Sequence, residues 1–141
     1  MARIIALDVG SKRIGVAISD ELGILATPRG IIRHRSYNQD FAEIASLVES
    51  NQAERVLVGH PLSMAGNRTE QTRLVERFAA KLAQHLAIPV ELWDERLTTR
   101  AALEITGSGP AARRSGQRDA VAAAVLLQAY LDGSAGAPSS V

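Results

Sequence analysis

Three acidic positions far apart in the chain could do chemistry together: Asp8, the adjacent pair Asp94 and Glu95, and Asp119. Carboxylates offer only oxygen, the donor that hard Mg²⁺ or Mn²⁺ takes. Two such ions about 4 Å apart can clamp the attacking and leaving oxygens of a phosphodiester displacement. Their charge also keeps clustered carboxylates ionised where mutual repulsion would raise a pKa. Plainer readings stand beside this one. Asp8 lies next to a Gly-containing turn, where an acid often caps, and Asp119 falls where a helix macrodipole favours an anion.

The elements that must position these acids follow from the apolar pattern. Arg3 to Val9 and Ile14 to Ser19 flank a basic turn of Gly10, Ser11, Lys12 and Arg13, which predicts a β-hairpin. By the period of two, Ile5, Leu7 and Val9 share one face, while Ile4, Ala6 and Asp8 share the other. Asp8 therefore ends a strand among hydrophobes, where lost hydration costs several kcal/mol (roughly) unless a cation or donors compensate. Ile24 to Arg33 reads as a third antiparallel strand in which Pro28 places a defect or an edge. Phe41, Ile44, Ala45 and Val48 recur at helical spacing, predicting a helix over 38–50.

Arg55 to Gly59 is a short apolar run after a helix and reads as a strand buried on both faces, in parallel arrangement. A breaker-rich loop from His60 to Arg68 lies at its carboxyl end, where open α/β sheets keep their ligands. Thr69 or Asn67 caps the next helix, whose stripe is Leu74, Val75, Phe78, Leu82 and Leu86. Its other face carries Arg73, Arg77 and Lys81, four apart, as a solvated face or a row that touches phosphate. Pro89 to Glu95 is a further strand. Adjacent strand residues point oppositely, so at most one of Asp94 and Glu95 faces Asp8.

Thr98 or Thr99 caps a short helix through Ile105, and Gly107 to Gln117 is expected to be a mobile basic loop. Asp119 to Leu131 is an Ala-rich helix, apolar almost all round and so packed on the sheet. The whole predicts an α/β fold. Its mixed five-stranded sheet has three antiparallel strands, then two parallel ones, with helices on both faces. One domain over 1–132 is followed by a disordered tail, 133–141.

Composition narrows the function classes. The chain has 141 residues, 46% of them hydrophobic, and no Cys, which excludes disulfides, thiolate metal sites and a Cys nucleophile. No apolar window approaches the ~18 residues of a spanning helix, and no signal peptide is evident, so a cytoplasmic protein without membrane contact is expected. The net charge of +1 points to no partner by itself, but 14 of the 16 basic residues are Arg, the side chain suited to bidentate phosphate contact.

Four blocks then carry a specific resemblance. Leu7 to Ala17 resembles the opening signature of the YqgF (RuvX) family of the RNase H-like superfamily. Val58 to Gly66, Asp94 to Thr99 and Arg118 to Gln128 agree in order and spacing. The resemblance implies an RNase H-like, metal-dependent nuclease. Its activity would be 5′-end processing of precursor 16S rRNA, or Holliday-junction resolution on branched DNA; a non-catalytic, nucleic-acid-binding ribosome-assembly factor is the rival. It also implies that the catalytic acids are Asp8, Glu95 and Asp119, with Asp94 an additional or substitute ligand for Mg²⁺ or Mn²⁺.

In the mechanism this suggests, Asp8 bridges two ions, Glu95 and Asp119 hold one each, and Lys12 and Arg13 meet the phosphate. Arg96, Arg100, Arg113, Arg114 and Arg118 bind the flanking backbone, with salt-dependent affinity. His60 replaces the family's usual Leu, adding a donor at the site or filling the loop. Arg118 replaces a lysine-rich approach to the last acid. Resolution of a junction by paired nicks would require a symmetric homodimer.

Overall fold

The computed structural model describes residues 3–97, 117–133 and 139–140. β1 (Arg3–Val9) and β2 (Arg13–Ser19) form the expected hairpin, with Asp8 opposite Gly15. β3 (Ala26–Arg33) follows antiparallel on β2. Its register slips because Gly30 opposes Val16 while Pro28 opposes Ala17, which leaves Arg29 as a bulge beside the proline that cannot donate to the ladder.

The helix α1 (Tyr37–Ser50) starts at an Ser36 cap whose side chain accepts from the Gln39 amide. β4 (Ala53–His60) then runs parallel to β1. α2 (Glu70–His85) begins in a capping box between Thr69 and Thr72. β5 (Val90–Asp94) lies parallel to β4 and passes into a 3₁₀ turn, Glu95–Leu97. Among the described residues the next helix is α3 (Gln117–Asp132). The sheet order is thus β3-β2-β1-β4-β5, with a two-residue β6 (Ser139–Ser140) antiparallel at the far edge.

The period of two sorts the core as the sequence predicts. Ile5, Leu7 and Val9 pack with Phe41, Ile44, Val75, Phe78 and Leu82 from α1 and α2. Ile4 and Ala6 pack with Ala123, Leu126, Leu127 and Tyr130 from α3. Helices therefore cover both faces, and Asp8 continues the α3 face.

The basic loop and short helix expected between residues 98 and 116 lie outside the described residues. So does the tail apart from Gly133 and the two serines of β6. Among the described residues no helix is long and apolar enough to cross a membrane.

Candidate acidic centre

Two glycines make room for the acids. Gly15 faces α3 across from Asp8, and a methyl group there would overlap the carbonyl carbon and oxygen of Asp119 and stand 2.8 Å from the Ala120 nitrogen. Only a residue without a side chain lets the first turn of α3 settle onto β2 at this point. Gly59 does the same for the other acid. A Cβ there would lie 3.3 Å from both Cγ and Cδ of Glu95 and 3.2 Å from Leu126 Cδ2. Glu95 thus folds back over the end of β4 on the α3 side of the sheet.

The helix carrying Asp119 is anchored away from the acids. Arg55 donates from Nη1 to the Tyr130 hydroxyl at 2.9 Å and to Glu91 Oε1 at 3.2 Å, tying α3 to β4 and β5. The Gln128 amide accepts from Ala26 N and donates to Ile24 O, both at 2.9 Å, tying α3 to the start of β3. Asp119 is placed by fixed main chain, and its carboxylate accepts from Arg13 Nε at 2.6 Å.

The electrostatics follow from this convergence. Burial, and then the charge of Asp119, push the Asp8 carboxyl up to about 6. Burial, followed by the charges of Asp8 and Asp94, pushes Glu95 up to about 7. Asp8 is coupled to both of the other acids. Among the described residues no three His, Asp or Glu side chains are drawn together into a complete ion-holding group, and the Asp119 carboxylate is turned toward Arg13.

Asp94 takes the opposite direction. Its carboxylate receives the Arg96 guanidinium at 2.6 and 3.0 Å and the Arg96 amide at 2.9 Å, and the Arg96 hydrogen bonds hold its pKa below the ordinary range. It shares the α2 side of the sheet with its ladder neighbour His60. His60 Nε2 pairs with Glu76 Oε2 at 2.8 Å, and Arg68 Nε donates to Glu76 Oε1 at 3.0 Å. Arg96 Nη1 also lies 3.1 Å from where a Cβ on Gly66 would be, so this network props the His60–Arg68 loop.

Glu95, and not Asp94, therefore turns toward Asp8. The phosphate-contact candidates Arg13, His60 and Arg96 are engaged with carboxylates, Arg13 with Asp119, while Lys12 and Arg118 are exposed. Arg100, Arg113 and Arg114 lie outside the described residues. Sequence reasoning missed the roles of Gly15 and Gly59. Their signal was a glycine inside an apolar strand run, which marks close approach of another segment.

Comparison with known proteins agrees with the geometry. A family model described as RuvX, Holliday junction resolvase, matches residues 2–133. A protein of Syntrophus aciditrophicus named "Putative pre-16S rRNA nuclease" is 46% identical over 132 residues, 92% of this chain and 88% of its own. One of the same name from Symbiobacterium thermophilum is 44% identical over 138 residues, 96% of each chain. Among solved structures, T. thermophilus RuvC in complex with Holliday junction substrate matches at a TM-score of 0.63 and 15% identity, covering all of both chains, a likeness of fold. With its acids on β1, after β5 and at the start of α3 of an RNase H-like sheet, the chain belongs to the RuvX family.

Proposed function

We propose that this chain is a divalent-metal-dependent nuclease that hydrolyses phosphodiester bonds in structured nucleic acid, and that its substrate is the 5′ end of precursor 16S rRNA. What supports this reading is that Asp8 feels the charge of Asp119 and Glu95 feels that of Asp8, while burial and these charges raise Asp8 and Glu95 well above ordinary carboxyl values. An all-oxygen donor set fits a hard dication better than a soft or imidazole-seeking one. The names of the relatives point to the rRNA precursor, and a cytoplasmic location follows from that substrate.

Asp8, whose charge is felt by Glu95 and which feels that of Asp119, would hold such an ion together with Glu95 and Asp119. An ion held there would supply a water of lowered pKa and neutralise charge building on the leaving oxygen. Arg13 keeps Asp119 oriented through Nε. Lys12, on the same turn, and Arg118, beside Asp119, present exposed charge to the incoming phosphates.

The test is cleavage of matched precursor-rRNA, single-stranded and four-way-junction substrates by wild type and Asp8→Asn, in Mn²⁺, Mg²⁺ or EDTA. The expected result is metal-dependent cutting of the precursor that Asp8→Asn loses. Preferential paired nicking of the junction by a dimer would replace the rRNA assignment with resolution. Binding without cutting under every metal would replace both with an assembly role.

A further inference from the structure

The exposed side of α2 carries charge that works against the helix itself. Arg73, Arg77 and Lys81 recur every four residues along it, and like charges at that spacing repel. Arg73 closes the first turn, its amide donating to the Thr69 carbonyl at 3.1 Å, where the macrodipole disfavours a cation. The helix has two carboxylates that could compensate. Glu70 makes no ion pair with Arg73, and Glu76 is turned to His60 and Arg68. By contrast Arg3, Arg13, Arg55, Arg68 and Arg96 each stand 2.5–3.2 Å from a carboxylate oxygen. A helix face that is merely solvated mixes its signs, whereas this row keeps one sign against the local electrostatics.

The row begins at the acid end of the sheet. Gln71 Nε2 donates to the Val9 carbonyl at 2.8 Å, which ties the first turn of α2 to the residue after Asp8. Leu74 and Phe78 of α2 meet Ser11, His34 and Tyr37 along a narrow seam, and the His34 amide donates to the Lys12 carbonyl at 3.0 Å. Lys12 and Arg35, the exposed neighbours of Ser11 and His34, thus link the turn beside Asp8 to the row. Tyr37 is covered by Phe41, stacked at 5.6 Å, and by Lys81 Nζ, 4.8 Å above its centre, so this face presents cations and no ring for a base. Positions four apart climb about 6 Å along a helix, comparable with the step between successive phosphates of a strand.

We propose that Arg73 and Arg77, continued by Lys81, form a surface that tracks the phosphate backbone of the substrate RNA, reached from the acids by way of Lys12 and Arg35. Recognition along α2 is by charge and not by base identity. The inference rests on the nuclease reading above and adds a requirement to it: the RNA must continue beyond the cut, on the α2 side, far enough to lie along a row about 12 Å long.

The test is fluorescence anisotropy of a labelled single-stranded RNA with the full chain in EDTA, across a salt series. Arg73→Gln with Arg77→Gln removes two charges from the row. Arg3→Gln with Arg29→Gln removes two from the opposite end of the sheet, where both side chains bond to Asn51. The slope of log affinity against log salt should fall by about 1.4 in the first variant, by about 0.7 in Arg77→Gln alone, and stay at the wild-type value in the second. The first variant should also melt no lower than wild type, because it relieves repulsion along α2. Equal slopes in the two double variants would overturn the α2 assignment and leave the nuclease reading standing. Failure of the wild-type chain to bind any RNA or DNA would overturn both.

Discussion

Gly15 of β2 and Asp119 of α3 are packed main chain against main chain, with no room for a methyl group between them. This contact sets how closely the main chain at the last acid can approach β2, the strand paired with Asp8. Gly15→Ala must push the start of α3 off the sheet, at a cost of roughly 1–3 kcal/mol or more, as in an overpacked core. We expect a melting temperature lower by several degrees and cleavage reduced far beyond what the loss of folded protein explains. Thermal unfolding and activity measured on the same preparation check it.

Gly59→Ala should behave differently. The added Cβ meets Glu95 and Leu126 at 3.2–3.3 Å, tight contacts with flexible side chains. Stability should fall by less than for Gly15→Ala, while cleavage falls by an order of magnitude or more because Glu95 is displaced. Equal losses of stability in the two variants would contradict this account.

Asp94 and Glu95 are neighbours in sequence with opposite surroundings, so their amides should have opposite consequences. Glu95→Gln is expected to abolish cleavage with little change in fold. Asp94→Asn releases Arg96 and loosens the His60–Arg68 loop, which should lower activity only severalfold and weaken substrate binding. Parallel determination of kcat and KM separates the two outcomes.

The raised carboxyls give the ion-free protein a definite pH dependence. Asp8 moves from 3.8 to about 6 and Glu95 from 4.5 to about 7 on folding, so between those values the native state holds more protons than the unfolded one. Stability therefore falls as pH rises from about 4 to 7 and levels off above. Mg²⁺ or Mn²⁺ should raise the melting temperature at pH 8 and much less at pH 5. Asp8→Asn, which removes one buried charge, should melt higher than wild type at pH 8 without metal. A flat ion-free profile would contradict the electrostatics of the centre.

Much of this arrangement was legible in the residues. The alternation in β1 assigned Ile5, Leu7 and Val9 to one layer and Asp8 to the other, because strand geometry leaves no alternative once the apolar run is recognised. Pro28 marked the bulge, and Thr69 the start of α2, since each acts through its own backbone. The rule that adjacent strand residues diverge said that one of Asp94 and Glu95 would be turned away. Which one depends on Arg96 reaching back and on Gly59 leaving space, contacts that local pattern does not encode. The partnership of His60 with Glu76 joins the end of β4 to α2 and was hidden for the same reason.

The chain order of the acids has a consequence for synthesis. Asp8 and Glu95 belong to the part of the chain made first, whereas Asp119 sits at the head of α3, which must dock on Gly15 before it can approach them. A nascent chain folded through the 3₁₀ turn after β5 carries two acids of the three. The third acid therefore takes its place only when α3 docks on Gly15, after the strands that precede it have formed.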